Sequence, residues 1–222
     1  MRKTVRKKAA SPARPGRPDG SDQLGPRLRD AREKKGVTLR GLARKVGVSA
    51  SLVSQIEHGH VMPSVGTLYA ISNELGLLVD DLFRDGGRAT RPARPARGRA
   101  AKNPVQRSRG RETIHLSGGV RWERLTPTSD AEVEFLYVVY DVGAASCEKD
   151  ELIQHGGKEY AYVLSGRLGI RIGPDEFELR PGDSISFDAQ HPHRLWTIGR
   201  RPAVAVWVVL NRHGDRRRRK RA

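Results

Sequence analysis

The stretch from Ser49 to Glu57 combines an apolar helix face with polar side chains that a protein core does not require. Three apolar residues, Leu52, Val53 and Ile56, recur at the spacing of one face of a helix. The positions left facing outward near the start of this helix are Ala50, Ser51, Ser54 and Gln55. Hydroxyl and amide groups hydrogen-bond to the edges of DNA bases in the major groove. The pattern predicts a reader of DNA sequence; the alternative is an ordinary solvated helix face.

A second helix must precede this one for such side chains to reach the groove. Thr38 can cap that helix, and the apolar residues that follow at helical spacing are Leu39, Leu42, Ala43 and Val46. Gly47 then opens a tight turn in which we expect a positive φ, and Ser49 caps the next helix. Two helices joined in this way form a helix–turn–helix, which places the start of its second helix in the major groove.

Further helices are predicted on both sides of this pair. One begins at Leu24 and ends before Gly36, and another begins after the cap Ser64 and ends at Gly76. A last short helix holds Val79, Leu82 and Phe83. Residues 24–83 are therefore predicted to form a five-helix DNA-binding domain.

The formal net charge of +17 over 222 residues is carried by three segments of low sequence complexity. These are a disordered basic tail at 1–23, a flexible Pro/Arg-rich linker at 84–111 and a second basic tail at 212–222. Polycationic segments attract any phosphate backbone, and the attraction weakens as salt rises. They favour nucleic acid as a partner without reading its sequence.

Cys147 is the one cysteine of the chain, so no internal disulfide can form. No apolar run reaches the roughly 18–20 residues needed to cross a membrane. The first residues lack the apolar core of a secretory signal. We expect a cytoplasmic protein with no membrane partner.

The character of the sequence changes at Glu112. Alternating apolar and polar stretches follow, separated by turn signals such as Gly118-Gly119. They cover residues 120–126, 132–142, 158–164, 167–173, 176–180, 183–187, 193–198 and 203–210. Many short strands at this spacing predict an all-β barrel or sandwich over 112–211. The predicted fold class is thus multidomain, an all-α unit followed by an all-β unit.

Residues 24–83 resemble the Cro-like phage-repressor (XRE) family of helix–turn–helix proteins, across LRDAREKKGVTLRGLARKVGVSASLVSQIEHGHVMPSVGTLYAISNELGL. The resemblance implies a dimer that reads a palindromic operator of about 10–20 base pairs in double-stranded DNA. It implies a DNA face made of Ser49, Ala50, Ser51, Ser54 and Gln55, with Thr38 and Arg40 at the phosphates. Gln55 is the expected base reader, since its amide can pair bidentately with adenine. The family also pairs an arginine with a glutamate as a structural brace, here Arg32 and Glu57.

Residues 151–199 resemble the cupin family, a small β-barrel whose pocket often holds a metal. The resemblance implies the ligands His155, Glu159 and His193, while Ile153 stands where the family has a further histidine. Two imidazoles and a carboxylate suit a divalent transition metal such as zinc, iron, manganese or nickel. Because one histidine is missing, three interpretations stay open: a bound metal, a metal-free pocket for an organic ligand, or a purely structural barrel.

Aromatic and basic residues near these motifs are further candidates for the pocket. The aromatic candidates, for which core packing is the alternative, are Tyr160, Tyr162, Trp196 and Trp207. The basic candidates are Lys158, Arg167, Arg171 and Arg194. An arginine that faces inward would select a ligand that bears a carboxylate.

Together the two halves look like a family of bacterial one-component transcription regulators. The resemblance implies that a small-molecule effector binds the cupin domain and changes operator affinity, and that the operator changes effector affinity equally. We expect a homodimer and no enzymatic activity. One alternative is a cupin metalloenzyme, a dioxygenase or isomerase, that carries an accessory DNA-binding domain. Ile153 in a ligand position is evidence against this alternative. Another is a nucleoid-type protein that binds DNA through its basic arms without sequence preference.

Overall fold

The computed structural model of the chain describes residues 23–83 and 103–210. Nearly all of the predicted tail 1–23, most of the linker 84–111 and the tail 212–222 lie outside these ranges. The predictions for those segments, and the exact domain boundaries, therefore stay predictions.

The N-terminal region is helical, as the sequence predicts. Its α-helices are α1 (Leu24–Lys34), α2 (Leu39–Val46), α3 (Ala50–Glu57) and α4 (Val65–Leu75). The predicted last short helix is a 3₁₀ helix, Val79–Phe83, so the α-helices of this region number four among the described residues. Five residues offer too few intrahelical hydrogen bonds to complete a stable α-helix, and a short connector takes the tighter 3₁₀ form.

Local signals fix the ends of the central helices. The hydroxyl of Thr38 accepts from the N–H of Gly41 at 3.0 Å, and that of Ser49 accepts from Leu52 at 3.1 Å. Gly47 ends α2 with φ of 80°, a left-handed conformation that glycine adopts at no steric cost. The predicted caps and turn of the helix–turn–helix are confirmed.

The C-terminal region is all-β and antiparallel throughout. Its strands are β1 (Thr113–Leu116), β2 (Val120–Arg124), β3 (Val133–Tyr140), β4 (Lys158–Ser165), β5 (Leu168–Ile172), β6 (Asp175–Leu179), β7 (Ser184–Asp188), β8 (His193–Thr197) and β9 (Ala203–Leu210). One sheet has the order β1-β2-β3-β9-β4-β7, and the other has the order β6-β5-β8. The sequence missed β1, whose four residues are too few to show an alternating pattern.

Helix α4 packs against the β region as well as against the other helices. The N–H of Gly66 donates to the carbonyl of Ser146 at 3.2 Å, and the N–H of Ser117 donates to that of Pro63 at 2.9 Å. A Cβ at position 66 would lie 2.6 Å from Cγ2 of Ile153, so only glycine permits this approach. The buried apolar residues of both regions consequently form one continuous core.

A buried ion pair adds a second contact between the two regions. Asp80, in the 3₁₀ helix, lies 3.5 Å from the guanidinium of Arg124 and accepts from the N–H of Asp130 at 2.8 Å. Arg124 also contacts Glu112 at 2.7 Å. Both Asp80 and Arg124 are buried, so the 3₁₀ helix is held to the barrel by charge as well as by apolar packing.

Within the described residues, no helix has the length and apolar character needed to cross a bilayer.

Candidate functional site

The start of α3 offers a polar surface to solvent. Ser49, Ser51 and Gln55 are exposed, whereas Ala50 and Ser54 are half-buried. The small side chain of Ala50 packs against the core, and the Ser54 carbonyl is 2.7 Å from Nδ1 of His58. The side chains predicted from the sequence to contact bases are therefore exposed to solvent, fully or in part, and the barrel does not bury them.

The two helix caps can also face a DNA backbone. Thr38 and Arg40 are exposed at the start of α2, and Ser49 is exposed at the start of α3. Each capping hydroxyl accepts one backbone N–H and still has its own O–H to donate. Helix N-termini attract phosphate, so these positions suit backbone contacts.

A buried salt bridge sets the orientation of α3 against α1. Nε and Nη2 of Arg32 donate to the two carboxylate oxygens of Glu57 at 2.6 and 2.8 Å. Nη1 of Arg32 also donates to the carbonyl of Val37 at 3.0 Å. The hydrogen bond with Glu57 raises the pKa of Arg32 above its already high ordinary value. The predicted brace of the helix–turn–helix is confirmed.

Three polar side chains converge inside the barrel. His155 lies in the loop before β4, Glu159 is the second residue of β4, and His193 begins β8. Glu159 points inward because exposed and buried residues alternate along β4. One carboxylate oxygen lies 2.8 Å from Nε2 of His155 and 3.8 Å from Nε2 of His193. The possible ligand atoms of the three side chains all lie within 4.8 Å of one another.

The hydrogen bonds of the two imidazoles leave their inner nitrogens facing the cluster. Nδ1 of His155 is 3.0 Å from the Gly156 carbonyl, and Nδ1 of His193 is 2.9 Å from the His191 carbonyl. A carbonyl only accepts, so each Nδ1 carries a proton. Nε2 of His193 is buried without a hydrogen-bond partner among the described residues, whereas Nε2 of His155 lies at hydrogen-bond distance, 2.8 Å, from the Glu159 carboxylate. Two imidazole nitrogens that face a carboxylate form a donor set that fits a divalent cation.

The charge states inside the barrel agree with this donor set. Burial opposes ionisation of Glu159, but its hydrogen bonds with His155 and Trp207 outweigh burial and lower its pKa. Burial lowers the pKa of His193, which keeps its imidazole neutral at pH 7. The indole N–H of Trp207 donates to the second oxygen of Glu159 at 3.0 Å and fixes the carboxylate.

The cluster borders a small cavity. Its volume is about 20 Å³, and its walls include Glu159 and His193. The other lining residues are aromatic or apolar: Val65, Tyr69, Trp122, Leu136, Val138, Tyr140, Ile153, Leu195 and Trp207. Ile153, in the place of the family's further histidine, contributes an apolar wall. Burial raises the pKa of the Tyr140 phenol, so that wall residue is neutral.

Few of the other pocket candidates reach this cavity. Trp207 lines it, but Tyr160 and Tyr162 are exposed on the outer face of β4. Trp196 packs beside Gly169 and the guanidinium of Arg194. The four basic candidates, Lys158, Arg167, Arg171 and Arg194, do not line the cavity. An arginine that selects a carboxylate is therefore absent from the described cavity wall.

Tyr69 was not predicted as a site residue from the sequence. This residue of α4 is buried, and its ring stacks on that of His155 with centroids 4.1 Å apart. Its hydroxyl donates to Glu134 at 3.4 Å. The burial of Tyr69 could have been predicted from a second line of buried residues along α4, formed by Val65, Tyr69 and Ser72, which lies next to the predicted apolar face of this helix.

Comparisons with known proteins assign both regions. A family described as helix-turn-helix matches residues 28–82, and a family described as cupin domain matches residues 136–209. The HTH-type transcriptional regulator PuuR of Escherichia coli (strain K12) is 25% identical over 171 residues, which cover 76% of this chain and 84% of PuuR.

Two further relatives agree. The uncharacterized HTH-type transcriptional regulator YazB of Bacillus subtilis (strain 168) is 34% identical over 58 residues, covering 26% of this chain and 84% of YazB. A crystal structure of a helix-turn-helix family transcriptional regulator from Vibrio cholerae has a TM-score of 0.61 at 21% identity, and the match covers 86% of this chain and 96% of that one. The chain therefore belongs to the helix-turn-helix transcriptional regulators and carries a cupin domain behind its DNA-binding helices.

Proposed function

We propose that this DNA-binding regulator reads a palindromic operator with α3 and senses a small-molecule effector in its cupin domain. The observation that carries the DNA part is the exposed polar start of α3, braced from behind by Arg32 and Glu57. In this proposal Gln55 reads a base, Ala50 and the serines at 49, 51 and 54 contact base edges or backbone, and Thr38 and Arg40 bind phosphates.

Selection of bound DNA from a random pool tests this part. The full chain is expected to enrich a two-fold symmetric sequence of about 10–20 base pairs. Gln55→Ala should lose the preference at particular base positions, whereas Arg40→Ala should weaken binding to all sequences alike. A pool that stays random with the full chain contradicts the proposal.

In the cupin domain, we propose that His155, Glu159 and His193 hold a divalent transition metal. The two buried Nε2 atoms, which lie 2.8 and 3.8 Å from one oxygen of the Glu159 carboxylate, support this. A bound ion would supply a Lewis-acid position for an oxygen of the effector. Calorimetric titration of the metal-stripped protein with zinc, iron(II), manganese or nickel should give one site per chain. His155→Ala should remove it.

A second candidate function is that of a cupin metalloenzyme. Two histidines and one carboxylate are the ligand set of non-haem iron(II) oxygenases, which favours this alternative. The regulator proposal predicts operator binding that responds to the ligand without turnover. Stoichiometric iron together with oxygen consumption on addition of a substrate would support the enzyme instead.

The proposed homodimer needs a contact surface, and the outer face of the larger sheet suits a second copy of this chain. Tyr160 and Tyr162 are exposed there, beside half-buried Val206 and Val208 on β9. The shallow groove between these strands is lined without any charged residue. Two copies related by a two-fold axis can thus meet without like-charge repulsion. Sedimentation of Val208→Asp should show monomers where the parent chain shows dimers.

A further inference from the structure

Part of the cavity wall in the barrel comes from the DNA-binding region. Val65 and Tyr69 of α4 line the cavity together with Trp122 and Trp207 of the barrel. The Tyr69 ring lies 4.1 Å from the His155 ring, centroid to centroid, and 5.5 Å from that of Trp122. The side chain of Tyr69 is thus an aromatic body held between a proposed metal ligand and a tryptophan.

The cavity in the barrel is too small for an organic effector. Its volume of about 20 Å³ accommodates roughly one water molecule or one ion. A metal held by His155, Glu159 and His193 therefore fits as the structure stands. A molecule of several heavy atoms fits only if one wall moves.

The walls differ in how they are held. Trp122 on β2 lies between β1 and β3, and Trp207 on β9 lies between β3 and β4, so both strands are hydrogen-bonded on two sides. The start of α4, by contrast, is joined to the barrel by backbone hydrogen bonds at Gly66 and Pro63. Moving α4 disrupts less hydrogen bonding than moving a central strand.

We propose that Tyr69 is the displaceable wall of the cupin pocket and the element that links it to DNA binding. An effector at the His155–Glu159–His193 centre displaces the Tyr69 ring, and α4 moves with it. Because α4 also packs on α2 and α1, the movement changes how the helix–turn–helix is presented to DNA. This inference rests on the proposed function and names its route of regulation.

The displaced side chain also indicates the class of effector. Tyr69 places a flat ring on an imidazole and against an indole, with a hydroxyl at the ring edge. Apart from Glu159 at the metal site, the remaining wall is uncharged and rich in aromatic residues, with no lysine or arginine among the residues that line it. The space therefore suits a small, planar, uncharged aromatic molecule with an oxygen that can coordinate the metal. Phenol is the simplest probe with this chemistry.

Calorimetry of phenol with the zinc-loaded full chain tests the displacement. Tyr69→Ala should bind phenol roughly three- to tenfold more tightly than the parent chain, because a stacked aromatic pair no longer has to be broken. Tyr69→Phe keeps the ring but loses the hydroxyl contact with Glu134, so its phenol affinity should lie between those of the parent chain and Tyr69→Ala. Phe177→Ala, which truncates an exposed aromatic side chain on β6 outside the cavity and the proposed dimer surface, is the matched control and should leave phenol affinity unchanged.

Tyr69→Leu serves if Tyr69→Ala does not fold, since leucine keeps apolar bulk without the flat ring. Phenol affinities that are equal in the parent chain and the folded variant overturn the inference, as does absence of binding in both. Hydrogen exchange gives a second readout: phenol should speed exchange of the α4 amides in the parent chain, and zinc alone should not.

Operator affinity separates this inference from the proposed function. The inference is supported if the parent chain binds a selected operator, phenol changes that operator affinity, and phenol changes the operator affinity of Tyr69→Ala less than twofold. If phenol acts equally on both proteins, the inference fails while the regulator stands. If no operator is bound with preference, the proposed function itself fails.

Discussion

The ring of Tyr69 stacks on the ring of His155, with centroids 4.1 Å apart and an interplanar angle of 28°. The first residue belongs to a helix of the DNA-binding region, and the second is a candidate metal ligand of the cupin barrel. The DNA-binding region and the cupin barrel of this regulator therefore meet at the candidate metal site of the barrel. The packed contact between Tyr69 and His155 connects a ligand at that site to the DNA-binding helices.

Truncation of the proposed base reader should reduce specific DNA binding. Gln55→Ala removes an amide that can pair with adenine, and we expect operator affinity to fall by about 1–3 kcal/mol in fluorescence anisotropy. Affinity for unrelated DNA should not change. Gln190→Ala, an exposed glutamine in the barrel, is the matched control. Equal loss on both kinds of DNA would assign Gln55 to backbone contact rather than base reading.

The buried pair Arg32–Glu57 should be essential for stability. Glu57→Ala leaves the Arg32 guanidinium buried without its bidentate partner, and we expect the free energy of unfolding to fall by about 3–5 kcal/mol. Urea denaturation measures the loss. Asp30→Ala, which breaks an exposed pair with Lys34, should change stability far less. Similar losses in both variants would contradict the bracing role.

The free energy of unfolding should fall as the pH rises and Asp80 ionises, because the pairing with Arg124 only partly offsets the cost of burying its charge. Burial raises the pKa of Asp80 from 3.8 to about 6, against the opposing effect of Arg124. The folded state thus holds this proton more tightly than the unfolded chain. The contribution of Asp80 to stability is complete below pH about 4 and is lost as the pH rises through 6, by about 3 kcal/mol.

Comparison of the parent chain with Asp80→Asn isolates this effect. The stability of the parent chain relative to the variant should fall between pH 4 and pH 7 in urea denaturation series. Asp81→Asn controls for the loss of one negative charge in the same helix. A flat stability difference would show that folding does not shift the pKa of Asp80, and one that grows with pH would show that Asp80 is stabilised as a carboxylate; either result contradicts the prediction.

The metal centre should depend on the three converging side chains. His155→Ala removes one of three ligands, and zinc affinity should fall at least 100-fold in calorimetry of the full chain. His191→Ala, which truncates an exposed histidine two residues before His193, should leave zinc affinity unchanged. Trp207→Phe removes the hydrogen bond to Glu159 and should lower affinity by about 10- to 100-fold. Unchanged affinity in His155→Ala would place the metal elsewhere.

The close approach at Gly66 should tolerate no side chain. Gly66→Ala places a methyl group 2.6 Å from Ile153, so α4 must shift away from the barrel at a cost of about 1–3 kcal/mol. Gly110→Ala, where the nearest atom is 3.7 Å away, is the control. Thermal unfolding should show a lower Tm for the first variant alone. Equal Tm values would mean that α4 does not rest on Ile153.

Local features of the site could be predicted from the sequence, and long-range ones could not. Thr38, Gly47 and Ser49 act within their own turn, so their types and spacing were sufficient to predict the caps. The cupin motif has fixed spacing, so it was sufficient to predict the ligands His155, Glu159 and His193. Tyr69 meets its partner across 86 positions of sequence, and nothing near it marks that contact. The docking of α4 on the barrel therefore required the structure.

Sequence-selective binding of the full chain to DNA tests the account most directly. The measurement compares dissociation constants for a selected operator and for a scrambled duplex of equal length, at physiological salt. We predict a ratio of at least about 1,000 in favour of the operator, as for specific DNA-binding proteins in general. Equal affinities with a steep salt dependence would contradict the account and assign DNA binding to the basic segments alone.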